Sequence, residues 1–111
     1  MLTLGHGIKV WVATQALDMR KSFDRLAEIV TAEWKKDVYS GALFVFFNRY
    51  ATRVKILYWD RNGYCLWQKR LEKGRFRLPC VKQACYSLSG SDLNCLLEGI
   101  DLTDHHRLTP L

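Results

Sequence analysis

Short apolar runs alternate with polar turns along this chain, and they predict a small sheet. Four runs are rich in β-branched and aromatic residues and are bounded by Gly, Asn or Asp: residues 8–13, 42–47, 53–59 and 64–71. Residues 85–88 form a shorter run that is compatible with a last strand. The run at 42–47 is apolar at every position, which is typical of a central strand buried on both faces.

Residues 22–36 have the 3.6-residue period of an amphipathic helix, and Asp18 and Ser22 are candidate N-caps. The apolar stripe consists of Phe23, Leu26, Ala27, Val30 and Trp34. Such a stripe needs the face of a sheet to cover it.

A second, short helix is predicted near residues 91–98, because the side chains of Ser89 and Asp92 can cap its start reciprocally. We therefore predict the α+β class: a mainly antiparallel sheet of about four strands packed on one amphipathic helix, with a short C-terminal helix. At 111 residues the chain is expected to form a single domain, 1–101, followed by a polar C-terminal tail, 102–111.

The turn at residues 60–63 predicts a β-hairpin, and its register decides which side chains share a face. In the favoured register, Gly63 is left-handed in a bulged loop, and Trp59 and Trp67 share one face with lysines and arginines. The opposite face, which meets the helix, then carries Val54, Ile56, Tyr58 and Leu66. In the alternative, a two-residue turn at 62–63, Trp59 shares a face with Leu66 and Trp67 with Tyr58.

The positive charge of the chain is concentrated in one segment. The formal net charge is +6, yet residues 49–82 alone carry ten Lys or Arg against two acids, a net of +8. This favours a polyanionic partner, either nucleic acid or an acidic membrane surface. No apolar run approaches the ~20 residues of a membrane span, and the N-terminus lacks a signal-peptide pattern. The four cysteines lack the close spacing of a disulfide framework, so we expect a cytoplasmic protein with reduced thiols.

Five motifs follow one another along most of the chain. They are Asp18-Met19-Arg20-Lys21 before the Phe23/Leu26 helix, Gly41-x-Leu43-Phe44-Val45-Phe46, Lys55-Ile56-Leu57-Tyr58-Trp59-Asp60-x-x-Gly63, Lys69-Arg70-Leu71-Glu72-x-Gly74-x-Phe76, and Leu97-Glu98-Gly99-Ile100-Asp101. Together they resemble the TnpB-type accessory protein of bacterial insertion sequences of the IS sixty-six kind. The resemblance extends from Gly5 to Asp101, and it departs at Phe47 and Asn48, where the family often has a more basic stretch.

The resemblance implies a biological process and leaves the molecular task open. Members of the family are short companions of a separate transposase and are needed for efficient transposition. The DDE chemistry of the reaction is attributed to the larger partner, and no catalytic residue carries over to this chain. The mechanism must therefore come from the residues themselves.

The basic, aromatic segment is the candidate binding site, because Lys and Arg neutralise phosphates and exposed tryptophans stack on bases. We predict nucleic-acid contacts at Arg53, Lys55, Trp59, Trp67, Lys69, Arg70, Arg75 and Arg77, and also at Arg20 and Lys21. In the competing interpretation the tryptophans belong to the core or to a protein interface, and the charges form a solvated rim.

The run from Asp18 to Lys21 has two interpretations. Arg20 and Lys21 at a helix start can meet phosphate. Alternatively, Asp18 caps the helix and Arg20 pairs with an acid such as Asp24. The second, structural interpretation is favoured.

Neither a metal site nor a catalytic set stands out. Zinc would have to use Cys80, Cys85 and Cys95 with His105 or His106, a spacing looser than that of structural zinc sites. A Mg²⁺-dependent nuclease would need the carboxylates of Asp18, Asp60 and Glu72 to converge on one metal ion. The positions of Asp60 and Glu72 in turns already explain these two residues. We therefore predict a non-enzymatic protein without catalytic residues, bound metal or cofactor.

The sequence thus predicts an accessory protein that binds the DNA ends of the element, or DNA already held by the transposase, and helps to assemble that complex. Its partners would be DNA, the transposase and other element-encoded proteins, and no membrane. The alternative is a protein-only adaptor that binds the transposase without touching DNA, with the aromatic face as its interface.

Overall fold

Five strands form one mixed sheet in the computed structural model, which describes residues 7–99. The strands are β1 Val10–Ala13, β2 Leu43–Phe47, β3 Arg53–Asp60, β4 Gly63–Arg70 and β5 Cys85–Leu88. They lie in the order β4-β3-β2-β1-β5, and only the neighbours β1 and β2 run parallel. The predicted α+β class and mainly antiparallel sheet are confirmed. The sheet has five strands and not about four, because β5 pairs along its whole length with β1.

Part of the predicted C-terminal region lies outside the described residues. This applies to Ile100 and Asp101 of the last motif and to the polar tail 102–111. The domain boundary at residue 101 therefore stays a prediction.

The first helix, α1 Phe23–Glu28, continues into a π-helical segment, Ile29–Glu33. It ends earlier than the predicted residue 36, because Lys35 adopts a left-handed backbone with φ 57°. Phe23, predicted to lie in the apolar stripe, is 40% exposed instead of packed. The second helix, α2 Gly90–Leu97, begins as expected, with the Ser89 hydroxyl accepting a 3.0 Å hydrogen bond from the Asp92 N–H.

Strand β2 lies at the centre of the sheet and is buried at all five positions. On one face, Phe44 and Phe46 pack with the fully buried Leu26 and Val30 of the α1 region. The Trp34 ring stacks on Phe46 at 5.1 Å between centroids. The prediction of a central, doubly buried strand is confirmed.

The other face of β2 is covered by the C-terminal half of the chain, so the molecule has three layers. Leu43, Val45 and Phe47 belong to a core cluster that also contains Leu93, Leu96 and Leu97 of α2. The irregular chain after β4 completes this cover through Phe76, which is 3% exposed and lies 5.4 Å from the Phe47 ring. Residues 71–84, between β4 and β5, form no strand.

The favoured register of the β3–β4 hairpin is wrong. Asp60 pairs with Gly63 and Trp59 with Tyr64, so the two-residue loop is Arg61-Asn62, with Arg61 left-handed at φ 51°. This pairing puts Trp59 and Trp67 on opposite faces, as the alternative register did, although that register used different turn residues.

The faces of β3 are the reverse of those predicted, whereas Leu66 of β4 faces α1 as predicted. Leu57 and Leu66 face α1, whereas Val54, Ile56, Tyr58 and Trp67 pack on the side of α2. The prediction assumed one oily face and one solvated face. Because both faces of the sheet are covered, the pattern of β3 and β4 did not select that register.

No helix among residues 7–99 has both the length and the apolar character needed to cross a membrane.

Replacing Leu96 by Ala tests the second covered face. Leu96 is fully buried under the sheet, and we expect Leu96→Ala to lower the free energy of unfolding by about 2–5 kcal/mol. The control is Leu78→Ala, which changes a side chain that is 37% exposed and should cost less than about 1 kcal/mol. Urea unfolding followed by tryptophan fluorescence measures both, and equal costs would contradict the packing of α2 on the sheet.

Candidate nucleic-acid interface

Five of the ten predicted contact residues gather at one end of the sheet, where β2 ends, β3 begins and β4 ends. We call this the basic end and define it by Arg49, Arg53, Lys69, Arg70, Lys73, Arg75 and Arg77. Residues 49–53 and 69–77 carry seven basic side chains against one carboxylate, Glu72. The segment after β4 is fixed there by two hydrogen bonds, from Leu71 N–H to Thr52 O and from Phe76 N–H to Ala51 O, at 2.8 and 2.7 Å.

The first of two clefts at the basic end lies over the paired ends of β3 and β4, and we call it the strand cleft. It has a volume of about 350 Å³ and is lined by Met19, Arg53, Val54, Lys55, Gln68, Lys69, Arg70 and Glu72. Arg53 and Arg70 are direct cross-strand partners. Two like charges in this position repel each other, so an anion between them would be favourable.

Lys55 lines the strand cleft but is a structural residue in this fold. It is 7% exposed, and its Nζ donates hydrogen bonds of 2.7 Å to the carbonyl oxygens of both Met19 and Lys21. These bonds use two of its three donors and hold the chain before α1 against the sheet. We therefore leave Lys55 out of the proposed phosphate contacts.

Lys69 also has an internal partner. Its Nζ donates a 3.0 Å hydrogen bond to the carbonyl oxygen of Leu97, the last residue of α2. A cation at this position satisfies a free carbonyl and complements the negative end of the helix dipole. Lys69 therefore fixes α2 to the sheet at the basic end.

The second cleft at the basic end, which we call the turn cleft, lies between the β2–β3 turn and the segment after β4. It also measures about 350 Å³ and is lined by Arg49, Tyr50, Ala51, Arg75, Phe76, Arg77 and Leu78. Arg75 and Arg77 are both exposed beside the buried Phe76. Sequence analysis did not predict Tyr50 as a contact, and its place at the start of the basic segment, residues 49–82, was the only signal for it.

Asp18 and Arg20 pair with each other next to the strand cleft. The Arg20 guanidinium donates to both carboxylate oxygens of Asp18, at 2.7–3.1 Å, and the Arg20 N–H adds a bond of 2.9 Å. Arg20 therefore pairs with a nearby acid, as the structural interpretation predicted, but the acid is Asp18 and not Asp24. The prediction that Asp18 caps the helix is wrong. Ser22 is the N-cap residue, and its side chain makes no capping bond. Arg20 and Lys21 are exposed.

Trp59 lies at the other end of the sheet. It is about 20 Å from Arg53, since six residues of a strand separate them. Its ring contacts Tyr39 and Tyr64 edge to face, at 4.9 and 5.1 Å between centroids. We call these three residues the aromatic tip.

Trp67 is not at the basic end either. It lies beside Ile56 in the sheet and packs against the core cluster that contains α2. The expected face on which lysine and arginine alternate with tryptophan is therefore absent from the described part of the chain.

The cysteines do not form a site in the structure. Cys65, Cys80, Cys85 and Cys95 are free thiols. Among residues 7–99 there is no group of three His, Cys, Asp or Glu side chains that could hold a metal ion. His105 and His106, the other residues considered for zinc, lie outside the described residues.

Comparison with known proteins supports the resemblance seen in the five motifs. Residues 8–107 match the family described as IS66 Orf2-like protein. The uncharacterized protein y4hO of Sinorhizobium fredii (strain NBRC 101917 / NGR234) is 40% identical over 101 residues, covering 91% of this chain and 88% of that protein. The uncharacterized protein y4jC of the same strain is 34% identical over 103 residues, covering 93% and 88%. No solved structure matches this chain.

The chain therefore belongs to the IS66 Orf2-like protein family. This membership implies an accessory role in the transposition of insertion sequences.

Replacing Lys55 by Met separates a structural role from a binding role. The change leaves the carbonyl oxygens of Met19 and Lys21 without the Lys55 donor, so we expect the free energy of unfolding to fall by about 1–3 kcal/mol. The control, Lys9→Met, changes an exposed residue at the far end of the sheet and should stay within about 0.5 kcal/mol. An unchanged urea midpoint in Lys55→Met would contradict the buried position.

Removing the Arg20 guanidinium tests the pair beside the strand cleft. Hydrogen bonds from Arg20 lower the pKa of Asp18 from its ordinary 3.8 to about 2. A carboxylate whose pKa is lowered on folding stabilises the fold at pH values above its ordinary pKa. This stabilisation is lost as the pH falls toward about 2. In Arg20→Gln we expect the pKa of Asp18 to rise toward 3.8, as measured by NMR titration of its carboxyl carbon.

The matched control for that titration is Arg25→Gln. Arg25 pairs with Glu28 and Glu33, at 2.7 and 3.2 Å, and it makes no bond to Asp18. The pKa of Asp18 should stay at about 2 in this variant. A rise of similar size in both variants would contradict the Asp18–Arg20 pair.

Proposed function

We propose that this protein is a non-enzymatic accessory protein that binds the DNA of its element through the basic end and helps to assemble the transposase–DNA complex. The observation that carries the proposal is the meeting of exposed arginines from three chain segments around two clefts. Arg53 and Arg70 line one cleft, and Arg75 and Arg77 line the other. Planar guanidinium groups bind phosphate oxygens in pairs, which suits a phosphate backbone.

The charges of the basic end are poorly compensated within the protein. Arg70 donates to Glu72 Oε1 at 3.0 Å, and the side chains of this pair are 61% and 78% exposed. An exposed ion pair of this kind contributes little to stability and can be exchanged for a phosphate. Arg20 and Lys21 extend the same surface on the α1 side. The proposal includes a cytoplasmic location, because the DNA of a bacterial element lies there.

The test measures binding to labelled duplex from the end of the element and to unrelated duplex, from about 50 to 200 mM salt. We expect the natural protein to bind with a steep salt dependence. The triple variant Arg53→Gln, Arg75→Gln, Arg77→Gln should bind more weakly, with a log–log slope that is shallower by roughly 2–3.

The matched control removes the same charge from the other end of the molecule, with Lys9→Gln, Lys35→Gln and Arg61→Gln. All three side chains are exposed and far from both clefts. This control should keep the natural salt slope. Absence of binding at low salt, or an equal loss in the two triple variants, would contradict DNA binding by the basic end.

The second candidate function is a protein-only adaptor for the transposase, and the aromatic tip favours it. Tyr39 is 60% exposed and lies against Trp59, and aromatic side chains are enriched at the centres of protein interfaces. In that case Tyr39→Ala would abolish capture of the transposase, and this binding would resist high salt. The DNA-binding proposal predicts instead that Tyr39→Ala leaves the affinity for duplex unchanged.

A further inference from the structure

One exposed aromatic side chain stands among the arginines of the basic end. Tyr50 is 65% exposed, the most exposed of the large apolar side chains in residues 7–99. A single exposed aromatic residue is ordinary on a protein surface. Tyr50 differs because its ring lines the turn cleft, with the guanidinium carbon of Arg49 5.8 Å from the ring centroid.

The turn that carries Tyr50 is held in one shape. The Asn48 side-chain oxygen accepts hydrogen bonds from the N–H groups of Thr52 and Arg53, both at 2.9 Å, and its amide donates to the Thr52 hydroxyl at 2.9 Å. The backbone at Ala51 is left-handed, with φ 54°, which closes the turn tightly. The backbone that carries Tyr50 is therefore already fixed, so little conformational entropy is lost when its ring binds a partner.

The opposite wall of the turn cleft is equally fixed. Phe76 donates its N–H to Ala51 O at 2.7 Å and buries its ring against Phe47. In an extended chain, neighbouring side chains point to opposite sides. The burial of Phe76 therefore directs Arg75 and Arg77 outward, toward the cleft that they share with Tyr50.

This combination suits one nucleotide. A cleft of about 350 Å³ lies near the lower limit of ligand pockets, about 300 Å³. Three guanidinium groups can hold a phosphate, and a tyrosine ring can stack on any base, because every base has a flat π face. Within a duplex both faces of a base pair are covered and only the edges reach the grooves, so a ring that stacks away from the duplex end needs an unpaired base.

The strand cleft lacks such a ring. None of the residues that line it is aromatic, so it offers basic side chains to phosphates but no ring on which a base can stack. The two clefts therefore differ in what they can bind, although they share the basic end.

We infer that the turn cleft holds an unpaired nucleotide of DNA, with its base stacked on Tyr50 and its phosphate between the arginines. The inference rests on the proposed binding of element DNA and names the form of DNA that this cleft takes. The protein then binds at a junction, with paired DNA along the strand cleft and unpaired DNA in the turn cleft.

The experiment compares two probes of the same sequence. One is a blunt duplex, and the other carries a single-stranded overhang, 5′ or 3′, with 2-aminopurine as its first unpaired base. We expect the natural protein to prefer the overhang and to quench the 2-aminopurine fluorescence by stacking. Tyr50→Leu should weaken binding to the overhang roughly 5- to 100-fold, remove the quenching and leave the blunt duplex unaffected.

Two variants control for the ring and for its position. Tyr50→Phe keeps the ring and should restore both the preference and the quenching. Tyr39→Leu removes a similarly exposed ring at the aromatic tip and should change neither. The unfolding midpoint of each variant should equal that of the natural protein, because both side chains are exposed.

The outcomes separate the two proposals. If the duplex is bound as expected but Tyr50→Leu affects both probes equally, or neither, the inference is overturned and the proposed function stands. If the natural protein binds neither probe at low salt, the proposed function itself fails. Tighter binding of an RNA overhang of the same sequence would overturn the assignment to DNA.

Discussion

The burial of β2 on both faces is the constraint on which the rest of the structure depends. Five consecutive apolar side chains point alternately to the two sides of the sheet, so each side needs its own cover. The α1 region supplies one cover, and α2 with Phe76 supplies the other. The chain from β4 onward must therefore fold back under the sheet, and this return brings the arginines that follow β4 beside the β2–β3 turn.

The segments that form the basic end are consequently anchored by residues of the core. Buried Phe76 fixes Arg75 and Arg77, while Lys55 and Lys69 use their ammonium groups to fasten the chain before α1 and the end of α2. Two of the lysines that suggested a phosphate-binding strand, Lys55 and Lys69, thus donate hydrogen bonds to backbone carbonyls of the protein itself, and exposed arginines form the outer surface. Arginine suits that position, because its rigid fork loses less freedom than a lysine chain for each hydrogen bond that it forms.

Much of the fold could be predicted from local pattern, and the site only in part. The strand and helix positions followed from apolar runs and caps, and the central place of β2 from its unbroken apolar run. The hairpin register did not follow, because Leu57 and Ile56 are both apolar and both faces of β3 proved to be buried. The buried position of Lys55 could not be predicted either. Its hydrogen-bond partners are backbone carbonyls more than thirty residues away along the chain, and no sequence pattern indicates such a contact. No sequence pattern marks Tyr50, because Trp59 and Trp67 are the stronger aromatic signals in the same segment.

The pairing of β1 with β5 joins the two ends of the described chain, with Ala13 beside Cys85. During synthesis, the residues of β1 and β2 are added before those of β5. At ~5–20 residues per second, the wait from Phe47 to Leu88 lasts roughly 2–8 s. Throughout that interval β1 has a free edge, although it is only four residues long, which limits wrong pairing with other chains. A nascent chain that stalls before Cys85 keeps this edge open, so completion of the sheet requires translation at least as far as Leu88.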